Sequence, residues 1–361
     1  MNSARNPLNL LLLSTPVGAL GSGLGGGVEL TLRNIALELM GRGHSVDILA
    51  PMGSGMPGLS IAPIGGKLHT TAQTQGRNAP IEMPGDSVLA NMWEYARENQ
   101  DKYDLLVNFA YDWLPFYLTP FLETPIAHLV SMGSLTLAMD AVIGQTAVRF
   151  PGTIGVHSRA QAETFEFADR CRCLGNGIDL KIYDFCAEPE NYLGWVGRIA
   201  PEKGIEDAIA AADRLSIPLK IWGAMPDLDY WDKICMFYPD AAFTYEGFLS
   251  TKALQKALGR CQGLLMTHKW VEAFGNVAIE ALACGVPVIS YQRGGPAEIV
   301  QDGVTGWLVK PDSLDGLVEA IAHLPQIDRQ ACRYRAEAEY SMLSMGDRME
   351  AWFYDILEAK V

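Results

Sequence analysis

Glu272-Ala273-Phe274-Gly275-Asn276-Val277-Ala278-Ile279-Glu280-Ala281-Leu282-Ala283-Cys284-Gly285-Val286-Pro287-Val288 lies between two short apolar runs, 263–266 and 286–290, each of the length of a buried strand. A helix is expected to start near Gly275 or Asn276 and to stop at Gly285, with Pro287 barring its continuation. Strand, helix and strand in that order make a parallel unit with a right-handed crossover. Glu272 then sits in the loop before the helix and Glu280 one turn inside it. At roughly 1.5 Å rise per residue, Glu280 stands about 6 Å along the axis from Asn276. Two carboxylates so placed can reach different parts of one extended ligand, while the first backbone amides of the helix face a phosphate or a sugar. Carboxylates suit sugar and ribose hydroxyls because a charged acceptor binds them more strongly than a neutral one. Two glutamates with seven residues between them also arise by chance on solvated helix faces; the apolar, glycine-bounded surroundings argue against that here.

The same alternation extends in both directions. Runs 8–14, 46–50, 105–108 and 126–130 read as buried parallel strands in the first half, and 193–196 and 219–222 in the second. Between them lie amphipathic stretches. The clearest is 28–40, with Val28, Leu32, Ile35, Ala36 and Leu39 on one face and Gly41 and Gly43 closing it. The expected fold class is therefore α/β, with two doubly wound parallel sheets. A boundary is expected near 179–191. That divides the chain into 1–180, 181–342 and 343–361, the last a helix that crosses back to the first domain. The final helical pattern, 344–360, carries Met345, Met349, Trp352, Phe353 and Ile356. Residues 69–87 are polar and rich in Thr, Gln, Pro and Gly, the composition of a mobile functional flap.

Composition narrows the function classes. The 361 residues suit two domains, and 49% hydrophobic residues allow two cores. With 28 basic against 42 acidic residues the net charge is −14, which disfavours nucleic acid and anionic membrane surfaces as partners. Seven cysteines, an odd number without a disulfide or zinc-knuckle spacing, point to reduced thiols in a cytoplasmic protein. The apolar run 10–13 is too short for a signal segment or a membrane span.

A second chemical signal is Gly197-Arg198-Ile199-Ala200-Pro201-Glu202-Lys203-Gly204, directly after the strand 193–196. Two cations five residues apart on a strand-end loop can converge on one diphosphate, Arg198 with a fork of donors and Lys203 with a point charge. Gly21-Ser22-Gly23-Leu24-Gly25-Gly26 satisfies the dinucleotide fingerprint, but the glycines do not follow the strand directly. The second strand ends in Ala50-Pro51, where an acid is required. A dehydrogenase is excluded on both points. Gly25-Gly26-Gly27 still precede a helix, where missing side chains let amides approach an anion; a flexible loop accounts for them equally well when they are taken alone.

Taken together, Arg198 and Lys203, the Glu272/Glu280 pair, Asn176-Gly177-Ile178-Asp179, Gly25-Gly26-Gly27-Val28-Glu29, Arg42-Gly43-His44-Ser45-Val46 and Asp302-Gly303-Val304-Thr305-Gly306-Trp307-Leu308-Val309 resemble the retaining glycosyltransferases of family 4 in both content and order. That family has the GT-B fold, two Rossmann-like domains facing a central cleft, which implies that 1–180 is the acceptor-binding domain and 181–342 the donor-binding, nucleotide-sugar domain. Within it the chain resembles most the cyanobacterial pteridine glucosyltransferases. The resemblance implies a sugar transferred from UDP-glucose to a small acceptor such as tetrahydrobiopterin, with retention and without a metal or other cofactor. It assigns Arg198, Lys203 and Glu272 to catalysis. Glu272 would hold hydroxyls of the transferred sugar, Glu280 the ribose, and Gly26, Gly27, Ala273, Phe274, Gly275 and Asn276 would contribute to the donor site. Domain closure over the donor is expected from the architecture.

The chain departs from the family pattern at one place. Many relatives end the fourth strand of the first domain with a histidine beside the reacting carbon, whereas here the strand ends at Ser131 and His128 comes three residues earlier. His128 is expected to be a core residue on the opposite face, and Ser131 to take the contact. For the acceptor, Tyr111, Asp112 and Trp113 follow the strand 105–108, with Phe116 and Tyr117 beyond; a planar ring can stack on such aromatics, though at least two are expected in the core. Asp227-Leu228-Asp229 has the spacing of a metal-binding pair but lacks its surroundings, so no metal is expected there. A nucleotide-sugar epimerase, a phosphorylase or an inactive nucleotide-sugar-binding protein remain as alternatives on the same fold.

Overall fold

The computed structural model describes residues 6–359, and the chain divides into two units. One comprises the residues up to Asn176 together with those from Met342 onward; the other is Gly177–Ser341. The helical pattern at 344–360 forms a helix at Met342–Ala359, with Lys360 outside the described residues.

The first unit is built on a sheet of seven strands: β1 (Asn9–Leu13), β2 (Ser45–Pro51), β3 (Ile61–Ile64), β4 (Leu105–Asn108), β5 (Ile126–Leu129), β6 (Ile154–Val156) and β7 (Arg172–Cys173). Every pairing is parallel, in the order β3-β2-β1-β4-β5-β6-β7. β1 is central, and Leu10, Leu11, Leu12 and Leu13 are all buried, alternating between the two faces of the sheet. One face packs on the helices Gly27–Gly41 and Met342–Ala359 through Leu32, Ile35, Leu39, Met345, Met349, Trp352 and Phe353. The Arg42-Gly43-His44 motif secures that last helix. The Arg42 guanidinium reaches Asp347 and Glu350 at 2.8 and 2.9 Å and donates to the Leu343 carbonyl at 2.7 Å. His44 meets Glu350 through Nε2 at 3.0 Å and accepts the Leu8 amide on Nδ1.

The second unit repeats the plan with β8 (Leu193–Val196), β9 (Leu219–Trp222), β10 (Phe243–Tyr245), β11 (Leu264–Met266), β12 (Val288–Tyr291) and β13 (Gly306–Val309), again all parallel, in the order β10-β9-β8-β11-β12-β13. In both sheets the winding direction reverses once, between β1 and β4 and between β8 and β11. Connections leave to opposite faces at such a point and open a crevice at the carboxyl ends of the two strands, where α/β sheets bind ligands. The loops after β1, β4, β8 and β11 are thereby the positions to inspect in each unit.

The loop at 69–87 is tied down at several points rather than free. His69 is 9% exposed; its Nδ1 meets Asp112 at 2.8 Å and its Nε2 the Ser87 hydroxyl at 2.6 Å. Arg77 pairs with Asp140 at 2.6 Å, and its carbonyl accepts the Leu137 amide. The polar composition that reads as a flap supplies these anchors.

Candidate functional site

The loop after β8 turns at Pro201–Lys203, and Gly204 follows with φ +61. A Cβ on Gly204 would lie 2.2 Å from the Thr267 carbonyl oxygen. Only glycine both adopts that backbone and allows the loop after β8 to press against the loop after β11. The Glu202 carbonyl accepts the Lys269 amide at 2.8 Å across the same seam. Glu272 is fixed from the other side. Gly294, φ +69, lies so close that a Cβ there would be 2.6 Å from the Glu272 backbone nitrogen and oxygen, and the Glu272 carbonyl accepts the Gly295 amide.

These contacts bring Lys203 and Glu272 together as an ion pair, 69 residues apart in sequence. Both are mostly buried, with side chains 22% and 19% exposed. Trp270 Nε1 donates to Glu272 Oε2 at 3.1 Å, and the Lys203 ammonium lies 5.0 Å from the centre of the Trp270 ring. Burial alone would raise the Glu272 carboxyl, but Lys203 and the Trp270 N–H outweigh it and hold the group below the ordinary carboxylate value. Arg198, on the same strand-end loop, pairs with Glu202. The two cations of this loop are thus neutralised by the chain's own carboxylates. His268 completes the cluster. Its Nε2 meets the Arg293 carbonyl at 2.6 Å, while its Nδ1 is buried without a hydrogen-bond partner, and burial pushes its pKa down.

Glu280 lies in the helix Asn276–Ala283, which begins at Gly275 with φ +94. It is 8% exposed, and Tyr183 is its hydrogen-bonding side chain. Burial pushes its carboxyl up to about 7, well above the ordinary 4.5. Phe274 points its ring into the core against Tyr340, so only its backbone can serve a ligand. Trp270, Tyr183, His268 and Gly294 escape a sequence reading. Trp270 and His268 stand two and four residues before Glu272, close enough to have been suspected; Tyr183 and Gly294 are joined to the site only by folding.

In the first unit, the helix Gly27–Gly41 begins after Gly26, whose φ is +59. The glycine loop wraps a carboxylate already present: Glu29 accepts the amides of Gly21, Gly23 and Gly25 at 2.7, 3.2 and 2.6 Å. Gly26 donates to the Gly23 carbonyl, so its amide is spent within the loop. Tyr111, Asp112 and Trp113 follow β4 at this unit's reversal point. Tyr111 donates its hydroxyl to the Gly133 carbonyl at 3.1 Å, and Trp113 stacks on Tyr117 at 4.4 Å. Asp112 caps the helix Trp113–Leu118 at the Leu114 amide and holds His69. Ser131 is half-buried just beyond β5. His128 is fully buried between Asn108 and Thr119 and stacked on Phe116; burial pushes its imidazolium down to about 3, so it is a neutral core histidine. Asp227 caps the helix Leu228–Phe237 at the Tyr230 amide. Among the described residues no group of His, Cys, Asp or Glu side chains is arranged to hold a metal ion, and no helix is long and apolar enough to cross a membrane.

Two parallel α/β sheets, each with one reversal point, and a charged cluster at the second of them define the class: a chain of the GT-B glycosyltransferase fold. Residues 185–339, within the second unit, match the family described as Glycosyl transferases group 1. Glycogen synthase of Mycobacterium tuberculosis is 33% identical over 182 residues, 47% of this chain and 43% of that one. An uncharacterized glycosyltransferase of Methanocaldococcus jannaschii is 23% identical over 344 residues, 81% of this chain and 83% of its own. The chain therefore spans less than half the length of the glycogen synthase it matches. Among solved structures, Anabaena HepE in complex with UDP-glucose superposes with a TM-score of 0.77 at 17% identity, over 96% of this chain and 100% of that one. Sucrose-phosphate synthase of Thermosynechococcus elongatus also gives 0.77, at 19% identity, over 98% and 100%.

Proposed function

We propose that the protein is a retaining hexosyltransferase that moves glucose from UDP-glucose to a small acceptor, with a reduced pterin such as tetrahydrobiopterin as the acceptor to test first. The observation that carries the reading is the Lys203–Glu272 pair, set with Arg198 at the reversal point of the second sheet. UDP-glucose in the HepE complex makes it the first donor to try. Seven free cysteines fit a reducing, cytoplasmic setting.

In this reading the diphosphate draws Lys203 from Glu272 and Arg198 from Glu202; the freed Glu272 turns to sugar hydroxyls, and Glu280, already buried, faces the ribose. Transfer proceeds on one face of the sugar. The bond from the anomeric carbon to the phosphate oxygen breaks, the acceptor oxygen bonds to that carbon, and the leaving phosphate takes the acceptor's proton. Arg198 and Lys203 stabilise the charge that develops on the diphosphate, so no metal or covalent nucleophile is required. Support for the acceptor lies in the resemblance and in the aromatic residues Tyr111 and Trp113 after β4.

The test is incubation with UDP-glucose and no added metal, with and without reduced biopterin, following UDP release and the mass of the pterin. Pterin-dependent release with a gain of one hexose is the expected result. UDP-glucose converted to another nucleotide-sugar without acceptor would replace the transferase by an epimerase, and UDP binding without turnover would leave a binding protein.

A further inference from the structure

Glu272 Oε2 carries both the Lys203 ion pair and the Trp270 hydrogen bond, whereas Oε1 has no partner among the described residues. One carboxylate oxygen is saturated from within the protein and the other is left for a ligand hydroxyl. Trp270 touches both halves of the ion pair in two different ways. Its N–H grips Glu272, and its ring face lies beneath the Lys203 ammonium. The N–H is a neutral donor that never titrates, and the ring attracts a cation through its quadrupole without neutralising it. When a diphosphate draws Lys203 away, Glu272 loses its strongest tether, and the Trp270 N–H is the hydrogen bond that remains on Oε2.

We propose that Trp270 is the positioning residue of the donor site: it keeps Glu272 oriented with Oε1 outward while Lys203 transfers from carboxylate to diphosphate. This rests on the donor-site reading above. Trp270 acts through Glu272 and Lys203 and makes no contact with the reacting atoms. Its two contacts also serve different stages. The ring governs how Lys203 is presented to the diphosphate, and the N–H governs how Glu272 meets the sugar.

Two variants separate these contributions. Trp270→Phe keeps a ring beneath Lys203 and removes the N–H; Trp270→Leu removes both. UDP affinity is measured by calorimetry on the whole chain, and kcat and KM for UDP-glucose by UDP release, with thermal unfolding of each variant as a control. Trp270→Phe is expected to keep UDP affinity within about twofold while kcat falls at least tenfold, the size expected for loss of a hydrogen bond to a charged group. Trp270→Leu is expected to lower kcat equally and to weaken UDP binding several-fold as well. The proposal is overturned if Trp270→Phe retains parental kcat, or if the two variants lose turnover only in proportion to lost folded protein. A parent chain that binds no nucleoside diphosphate overturns the donor-site reading itself, a result distinct from an active parent indifferent to Trp270.

Discussion

Glu280→Gln tests how far the second unit gives up stability to hold a carboxylate in its core. Glu280 is 8% exposed, with Tyr183 as its hydrogen-bonding side chain, and burial raises its pKa from 4.5 to about 7. Each pH unit of displacement is worth about 1.4 kcal/mol, so the folded protein disfavours ionised Glu280 by about 3 kcal/mol at pH values well above 7. Between pH 4.5 and 7 the native state keeps a proton that the unfolded chain has lost. Stability therefore falls as pH rises through that window and levels off above it. Glutamine cannot ionise, and its side-chain oxygen still accepts the Tyr183 hydroxyl. The variant should match the parent near pH 4.5 and exceed it by about 3 kcal/mol at pH 8, while UDP binds roughly tenfold more weakly for want of a charged acceptor. Urea denaturation of both proteins at pH 4.5, 6 and 8, followed by tryptophan fluorescence, reads the difference. A gap between variant and parent that stays constant across those pH values refutes the reasoning, because only ionisation of Glu280 makes it change.

Three further outcomes follow from the geometry. Glu29→Ala should release the amides of Gly21, Gly23 and Gly25 and accelerate their hydrogen exchange at least tenfold; since the loop is exposed and water re-solvates it, the stability loss should be only about 1–2 kcal/mol. Asp112→Ala should destabilise the first unit by about 2 kcal/mol, through a lost helix cap and a lost His69 partner, whereas Asp112→Asn keeps the cap and should recover about half in a urea titration. A chelator should leave turnover of UDP-glucose unchanged; activity restored only by manganese would contradict this and return attention to Asp227 and Asp229.

Strands that are continuous apolar runs were legible in the sequence. β4 and β8 coincide with the expected 105–108 and 193–196, because a strand buried on both faces leaves an apolar signature; β9 coincides with 219–222 although the half-buried Lys220 interrupts its run. β7 and β10 escaped. Each is an edge strand of two or three residues with exposed positions, Arg172, Cys173 and Thr244, so hydrophobicity does not mark it. β6, also of three residues, is buried throughout but too short for a pattern. The charged members of the site were legible because their chemistry is unusual at a strand end. What stayed hidden is which side chains partner them. Glu29 fills the glycine loop, Glu202 and Glu272 hold the two cations, and Trp270 orders the pair. Such contacts depend on which oxygen faces which donor, and spacing along the chain does not encode that. Asp112, expected to recognise an acceptor, carries a helix cap and a buried histidine, two local tasks that its place directly before the helix Trp113–Leu118 could have suggested.

The most direct test of the central claim is UDP release from UDP-glucose by the parent, Lys203→Ala and Glu272→Gln, measured side by side with acceptor present. The account predicts steady release by the parent and a fall of roughly a hundredfold or more in kcat for each variant, the scale of losing one preorganised charge at the transition state. Release that is equal in all three proteins, or absent from the parent with UDP-, GDP- and ADP-glucose alike, would contradict it.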